Sequence, residues 1–317
     1  MKLLFLFLAL SVSLSLAGGA SAADDQSVIN GHKCSALPIP IYGKDYNREV
    51  GSYDYLPFAL ASMNAYGDGN YKDFDLANYD SGWRVQSPPL DYNDSTGMYA
   101  NYYFKSGETL DVLIAFRGTR ADSWKDWFSN FSWFTRFIPI KNEYDSARDA
   151  FQMVATKAIA EAGKRAVRFI TTGHSLGGGL AQHVALAFPC VSAAVFDTSC
   201  ITDVFRLDKE YTPDIVLLYE DKDELTKACR AIGFDNEGMR FRTYPVNYIP
   251  DGRFQHKIDG FVVGMARGVA DCQREQRIGK RICAVPSSDT RAKELYCKTY
   301  GIYGPDIDIC PELKARR

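Results

Sequence analysis

The stretch that most limits what this chain can become is residues 167–188, with Gly173-His174-Ser175-Leu176-Gly177 at its centre. A short apolar run with β-branched residues precedes that centre. Two further glycines and an apolar helical pattern follow it, through Leu180, Ala181, Val184, Ala185 and Phe188. The pattern reads as strand, sharp turn, helix, with a serine at the apex. So tight a turn strains the apex residue and needs small neighbours, and Gly173 and Gly177 stand where crowding would otherwise occur. A bare G-x-S-x-G recurs by chance in chains of this size. The strand before and the helix after are what make it specific.

The rest of the chain repeats the alternation. Apolar runs at 97–105, 110–116, 191–196, 215–219 and 239–246 read as strands, and 110–116 is continuous enough to be a buried central one. Helical spacing appears at 55–66, 144–162 and 258–272. Residues 23–52 read as an extended surface arm tied by Cys34, and 66–94 as a loop rich in Asp, Asn and Gly. Asp68, Asp73, Asp75 and Asp80 in that loop do not follow the spacing of a calcium-binding EF-hand, so a solvated loop is expected. Strands alternating with helices imply an α/β fold with a doubly wound, mostly parallel sheet. Right-handed crossovers then gather the strand ends on one edge, where sites collect.

Composition narrows the setting. The 317 residues carry a formal charge of −2, which offers no electrostatic footprint for nucleic acid or a generally anionic membrane. Lys2, the apolar run 3–16 and Ala20-Ser21-Ala22 form a secretory signal cut after Ala22, too short in its apolar part to span a bilayer comfortably. The expected organisation is a signal peptide at 1–22, a main domain at 23–272 and a cysteine-rich C-terminal extension at 273–317 that packs on it. The expected localisation is secreted or periplasmic. Eight cysteines in an exported chain suggest disulfides. A strand between Cys190 and Cys200 holds those two apart, and Cys200 with Cys229 is the better pair. No zinc-ligand spacing appears.

The strand–turn–helix at Ser175 resembles the nucleophile elbow of the α/β-hydrolases, whose chain order is serine, acid, histidine. A serine hydroxyl needs an adjacent base, and the base an orienting acid. Of the four histidines, His32 precedes the sheet, His174 sits inside the turn and is expected to point away from the nucleophile, and His183 lies mid-helix. His256 follows every strand and is the expected base. The acid should follow a strand between Ser175 and His256. Asp223 is the first choice, with Asp221 and then Asp197 behind it. The oxyanion donors are the N–H of Leu176, directly after the serine, and Thr119, after the strand 110–116. This chemistry calls for no metal and no cofactor.

Ala115-Phe116-Arg117-Gly118-Thr119, then Trp124 and Trp127, then GHSLGGG resembles the class 3, fungal-lipase-like branch of the α/β-hydrolases over roughly residues 55–258. The resemblance implies an oxyanion role for Thr119, an acid at Asp223, and a lid helix over 122–131 that opens at a lipid surface. Asp197-Thr198-Ser199-Cys200 departs from the family's proline-arginine-valine-glycine loop, and Tyr144-Asp145-Ser146 stands where the family has His-Gly-Phe. Residues 120–140 are thick with large apolar side chains, including Trp124, Trp127, Phe128 and Phe131. They read as a lid or interfacial contact, although helical aromatics also suit a core. The resulting expectation is a serine ester hydrolase acting on lipids, either a triacylglycerol lipase or a phospholipase A. An aryl-ester (feruloyl-type) esterase, a peptidase and a non-catalytic binding protein on the same scaffold are the alternatives.

Overall fold

The computed structural model describes residues 28–42, 48–67, 74–91, 97–119, 143–199, 213–225, 227, 241–249, 255–280, 289–299 and 309–310. Its centre is a mixed sheet whose main path runs β10-β9-β8-β7-β6-β5-β3. The strands on that path are β3 (Trp83–Val85), β5 (Tyr99–Ser106), β6 (Leu110–Phe116), β7 (Val167–His174), β8 (Val191–Phe196), β9 (Ile215–Glu220) and β10 (Phe241–Val246). From β6 to β10 every pairing is parallel, while β5 runs antiparallel to β6. The expected mostly parallel α/β sheet is what forms.

Strand period two divides the core between the faces. Leu110, Val112, Ile114 and Phe116 of β6 pack in one cluster with α3 (Glu143–Ala162) and α4 (Leu176–Ala187). Leu113 and Ala115 of the same strand pack in the other, with α1 (Arg48–Asn64), α5 (Ile258–Arg277) and α6 (Arg291–Thr299). Helices on both faces leave β6, β8 and β9 buried throughout and β7 buried except at Arg168. That is why these strands read as mainly apolar runs and were legible. Among the described residues no helix is long and apolar enough to cross a membrane.

Three expectations are corrected. The surface arm at 23–52 is in part structured. β1 (Val28–Ile29) pairs with β2 (His32–Ala36), β2 adds in parallel to the start of β7, and α1 begins at Arg48. The loop at 66–94 contains α2 (Leu76–Tyr79), β3 and β4 (Leu90–Asp91). Elements of two to four residues carry too little periodicity to register, and the edge of β5 is what organises the strands. In α2, Asp75 caps the N-terminus by accepting from Ala77 N–H at 2.9 Å, and Asp80 pairs with Lys105 at 2.9 Å. These two acids are structural. Asp68 and Asp73 lie outside the described residues. Finally, α5 continues past residue 272 to Arg277.

The disulfide Cys34–Cys190 ties β2 to the turn before β8, and Cys297–Cys310 closes the segment after α6. Cys200 and Cys229 lie outside the described residues, as do Trp124, Trp127, Phe128 and Phe131.

Candidate active site

Because β6 to β10 are parallel, their carboxyl ends share one edge of the sheet. Backbone bonds level those ends. Ser175 N–H donates to Phe196 O at 3.1 Å, Asp197 N–H to Leu218 O at 2.9 Å, and Asp221 N–H to Val246 O at 3.0 Å. Arg117-Gly118-Thr119, Ser175, Asp197, Asp223 and the approach to His256 are therefore gathered from five different strands.

Ser175 sits at φ 58°, ψ −129° between β7 and α4. This left-handed conformation is costly for a residue with a Cβ and is held by the surrounding bonds. The Ser175 carbonyl accepts from the N–H groups of Gly178, Gly179 and Ser199. A Cβ on Gly173 would run into the backbone of Gly177, and one on Gly177 into the Phe116 carbonyl. The two flanking glycines are therefore a packing requirement of the turn. Gly118 makes the third close approach, since a Cβ there would meet the Tyr66 hydroxyl and stand 3.2 Å from Ser175 Cβ. This brings the loop carrying half-buried Thr119 against the serine. Ser175 is 1% exposed and its Oγ has no hydrogen-bond partner.

His256 Nδ1 and Asp223 Oδ1 are 2.9 Å apart, with side chains only 4% and 2% exposed. Asp221, two residues earlier, is exposed. The Asp223 N–H donates to Glu220 O at 3.0 Å, and Lys227 N–H donates back to Asp223 O, so a tight turn sets the carboxylate. Glu220, fully buried at the end of β9, accepts from the N–H groups of Tyr248 and Ile249 and so steers the segment leading to His256.

His174, expected to point away from the nucleophile, packs its ring beside that of His256. Its ring lies 4.6 Å from that of His256 between centroids, and its Nδ1 is 2.8 Å from the Tyr66 hydroxyl. The elbow reverses the chain so sharply that the residue before its apex faces the same side as the His256 segment. Burial, then the neighbouring His256, holds the His174 pKa well below the ordinary imidazole range. Asp197 is also buried, at φ 37°, and its Oδ1 accepts from Glu220 N–H at 2.8 Å. Burial, then Asp223, pushes its carboxyl well up. His174, Asp197 and His256 are the described residues close enough to hold a cation. His32 instead bonds Arg165 O, and His183 packs edge-on to Tyr144 inside the core.

Tyr66 and Glu220 escaped sequence reasoning. Tyr66 accepts from Gly118 N–H and also touches His174, so it links the loop after β6 to the elbow. Nothing local marks it, because its partners Gly118 and His174 are far away in sequence, His174 by 108 positions, and adjacent only in the fold. Glu220 opens the charged run Glu220-Asp221-Lys222-Asp223-Glu224, whose composition does not mark it as buried.

A strained serine between a parallel strand and a helix, with a buried histidine–carboxylate pair on later loops packed against the residue before it, fits an α/β-hydrolase fold. Residues 58–206 match the family model described as phospholipase-like, a Tle-like phospholipase domain. Over that segment the lipase-like resemblance read from the sequence is borne out. Among solved structures the chain is similar to a lipase from Rhizopus microsporus var. chinensis, at 14% identity, TM-score 0.41, covering 63% of this chain and 78% of that one. It is also similar to an esterase of the bacterial hormone-sensitive lipase family, at 10% identity, TM-score 0.32, covering 77% and 97%. No curated protein matches the chain significantly in sequence.

Proposed function

We propose that the chain is a secreted serine hydrolase of lipid esters. The observation that carries this reading is the buried His256–Asp223 pair at 2.9 Å beside the Ser175 elbow. In the reaction, His256 takes the proton from Ser175 Oγ as that oxygen attacks the ester carbonyl. Asp223 holds the Nδ1–H tautomer and stabilises the imidazolium. The N–H of Leu176 and the Thr119 N–H and hydroxyl receive the oxyanion. His256 then protonates the departing alcohol, and water releases the acid from the acyl-enzyme by the same steps in reverse.

The Tle-like family model favours a phospholipid substrate, and a triacylglycerol is the second reading, from the class 3 lipase resemblance. Secretion rests on the signal at 1–22 and agrees with the disulfides. Residues 120–140, with Trp124, Trp127, Phe128 and Phe131, supply the contact with the lipid surface. The C-terminal extension packs on the main domain through α6, Ile309 and Cys310.

The test is hydrolysis of phosphatidylcholine vesicles against triacylglycerol emulsions, together with fluorophosphonate labelling. Labelling at Ser175, loss of at least ~10⁴-fold activity in Ser175→Ala, and preference for the phospholipid are expected. A folded chain that neither labels nor hydrolyses either lipid removes the enzyme reading. Faster turnover of the triacylglycerol moves the substrate to the second reading.

A further inference from the structure

The carboxyl edge of the sheet holds more imidazole and carboxylate than a serine relay uses. His174 and Asp197 have no step in the reaction above, yet they are 4% and 0% exposed. Each also has a polar atom with no hydrogen-bond partner, Nε2 of His174 and Oδ2 of Asp197. A buried polar atom left unpaired costs about 1–3 kcal/mol. Buried unpaired atoms of this kind call for a polar partner. Both residues stand beside the base, since one ligand atom from each of His174, Asp197 and His256 lies within 4.8 Å of the others.

The donor set and its surroundings select what fits. Two imidazoles and one carboxylate suit a zinc-type ion with a fourth position open. Nδ1 of His174 is engaged by the Tyr66 hydroxyl at 2.8 Å, and Nδ1 of His256 by Asp223 at 2.9 Å. That leaves Nε2 of each ring to offer, with the other nitrogen oriented by a second partner, as around metal-bound histidines. Tyr66 oxygen can accept from His174 Nδ1–H, the tautomer a metal at Nε2 requires. Ligand atoms on a tetrahedral zinc lie roughly 3.4 Å apart, so binding draws the three side chains in by about an ångström. Among the described residues no cysteine is free to compete for the ion.

We infer that His174, Asp197 and His256 bind a zinc-type divalent transition-metal ion, which switches hydrolysis off by occupying the His256 nitrogen that would take the Ser175 proton. The switch rests on the serine relay proposed above, and the binding site does not. The ion takes no part in ester cleavage.

The probe is Zn²⁺ on the full, disulfide-bonded chain after stripping with a chelator. Equilibrium dialysis counts the bound ion, and fluorophosphonate labelling reads Ser175. One Zn²⁺ per chain is expected, with labelling falling as the site fills and returning when chelator is added. Ser175→Ala should bind Zn²⁺ like the parent, whereas His174→Gln and Asp197→Asn should each bind at least ~10-fold more weakly. Should a buried variant not fold, Co²⁺ on the parent chain gives the second reading, since an imidazole-ligated tetrahedral spectrum supports the site and an aquo-type spectrum overturns it. A chain that labels but binds no Zn²⁺, or whose folded variants bind it unchanged, overturns the site. Binding there without loss of labelling overturns the switch. Binding there by a metal-free chain that never labels overturns the hydrolase reading and leaves the site standing.

Discussion

Asp223 and Asp221 are two positions apart on one turn and differ in what they face. The first is buried against His256 and the second is in solvent. Asp223→Asn keeps the shape but favours the wrong imidazole tautomer. Turnover should fall by about 10⁴-fold with KM little changed, whereas Asp221→Asn should stay within about twofold. Steady-state kinetics on a soluble ester decide it, and the reverse order would move the acid to Asp221. Asp223 ranked first in the sequence because of the resemblance to class 3 lipases and its place after a strand. Local composition did not separate it from its neighbours. Exposure does, and exposure is a property of the fold.

At the level of elements, the elbow is a contact between β6, β7 and the start of α4. A methyl on Gly177 meets the backbone of Phe116 and Arg117, which a strand buried on both faces cannot move aside. Gly177→Ala should therefore cost about 3 kcal/mol or more, read as a lower midpoint in urea or as loss of soluble protein. Unchanged stability would mean the loop after β6 is not seated on the elbow. The Cys34–Cys190 bridge joins segments 156 positions apart and pins the N-terminal strands to the start of β8. Replacing both cysteines with serine should lower stability by about 2–4 kcal/mol. The measurement is denaturant unfolding under oxidising conditions, and a fully reduced parent should match the variant at least in direction. Hydrophobic periodicity placed the long helices and the interior strands well, because burial on two faces writes an unbroken apolar run. It missed β1 to β4, whose residues are ordered by an edge they pair with.

Across the whole molecule, Arg291 adds a polar tie between the C-terminal segment and the front of the chain. Arg291 forms a two-point pair with Asp289, donates to Tyr79 O at 3.1 Å and lies over the Tyr79 ring. Hydrogen bonds from Arg291 hold the Asp289 carboxyl below its usual range. A depressed carboxylate pKa stabilises the fold above the unfolded value, near 3.8, and that contribution is lost as pH falls through the folded value. Arg291→Gln should thus cost up to about 1 kcal/mol at neutral pH, since the arginine is 43% exposed. It should also flatten the loss of stability as pH falls below the unfolded value near 3.8. Thermal midpoints across that range test the sign, and a variant that loses stability with acid as steeply as the parent would rule the pair out as its source.

Apolar period and the glycine–serine turn were enough by themselves to determine an α/β sheet with a strained serine at one edge, because both are written in neighbouring residues. The chain order of elements also narrowed the base to His256, as the histidine beyond the last strand. What only tertiary structure decided is which side chains from distant strand ends share the space around that serine. Tyr66 beneath the loop of Gly118, Glu220 behind the His256 segment, and His174 packed against His256 are set by burial and register across the sheet. Those depend on which backbones lie side by side, and no local spacing encodes that.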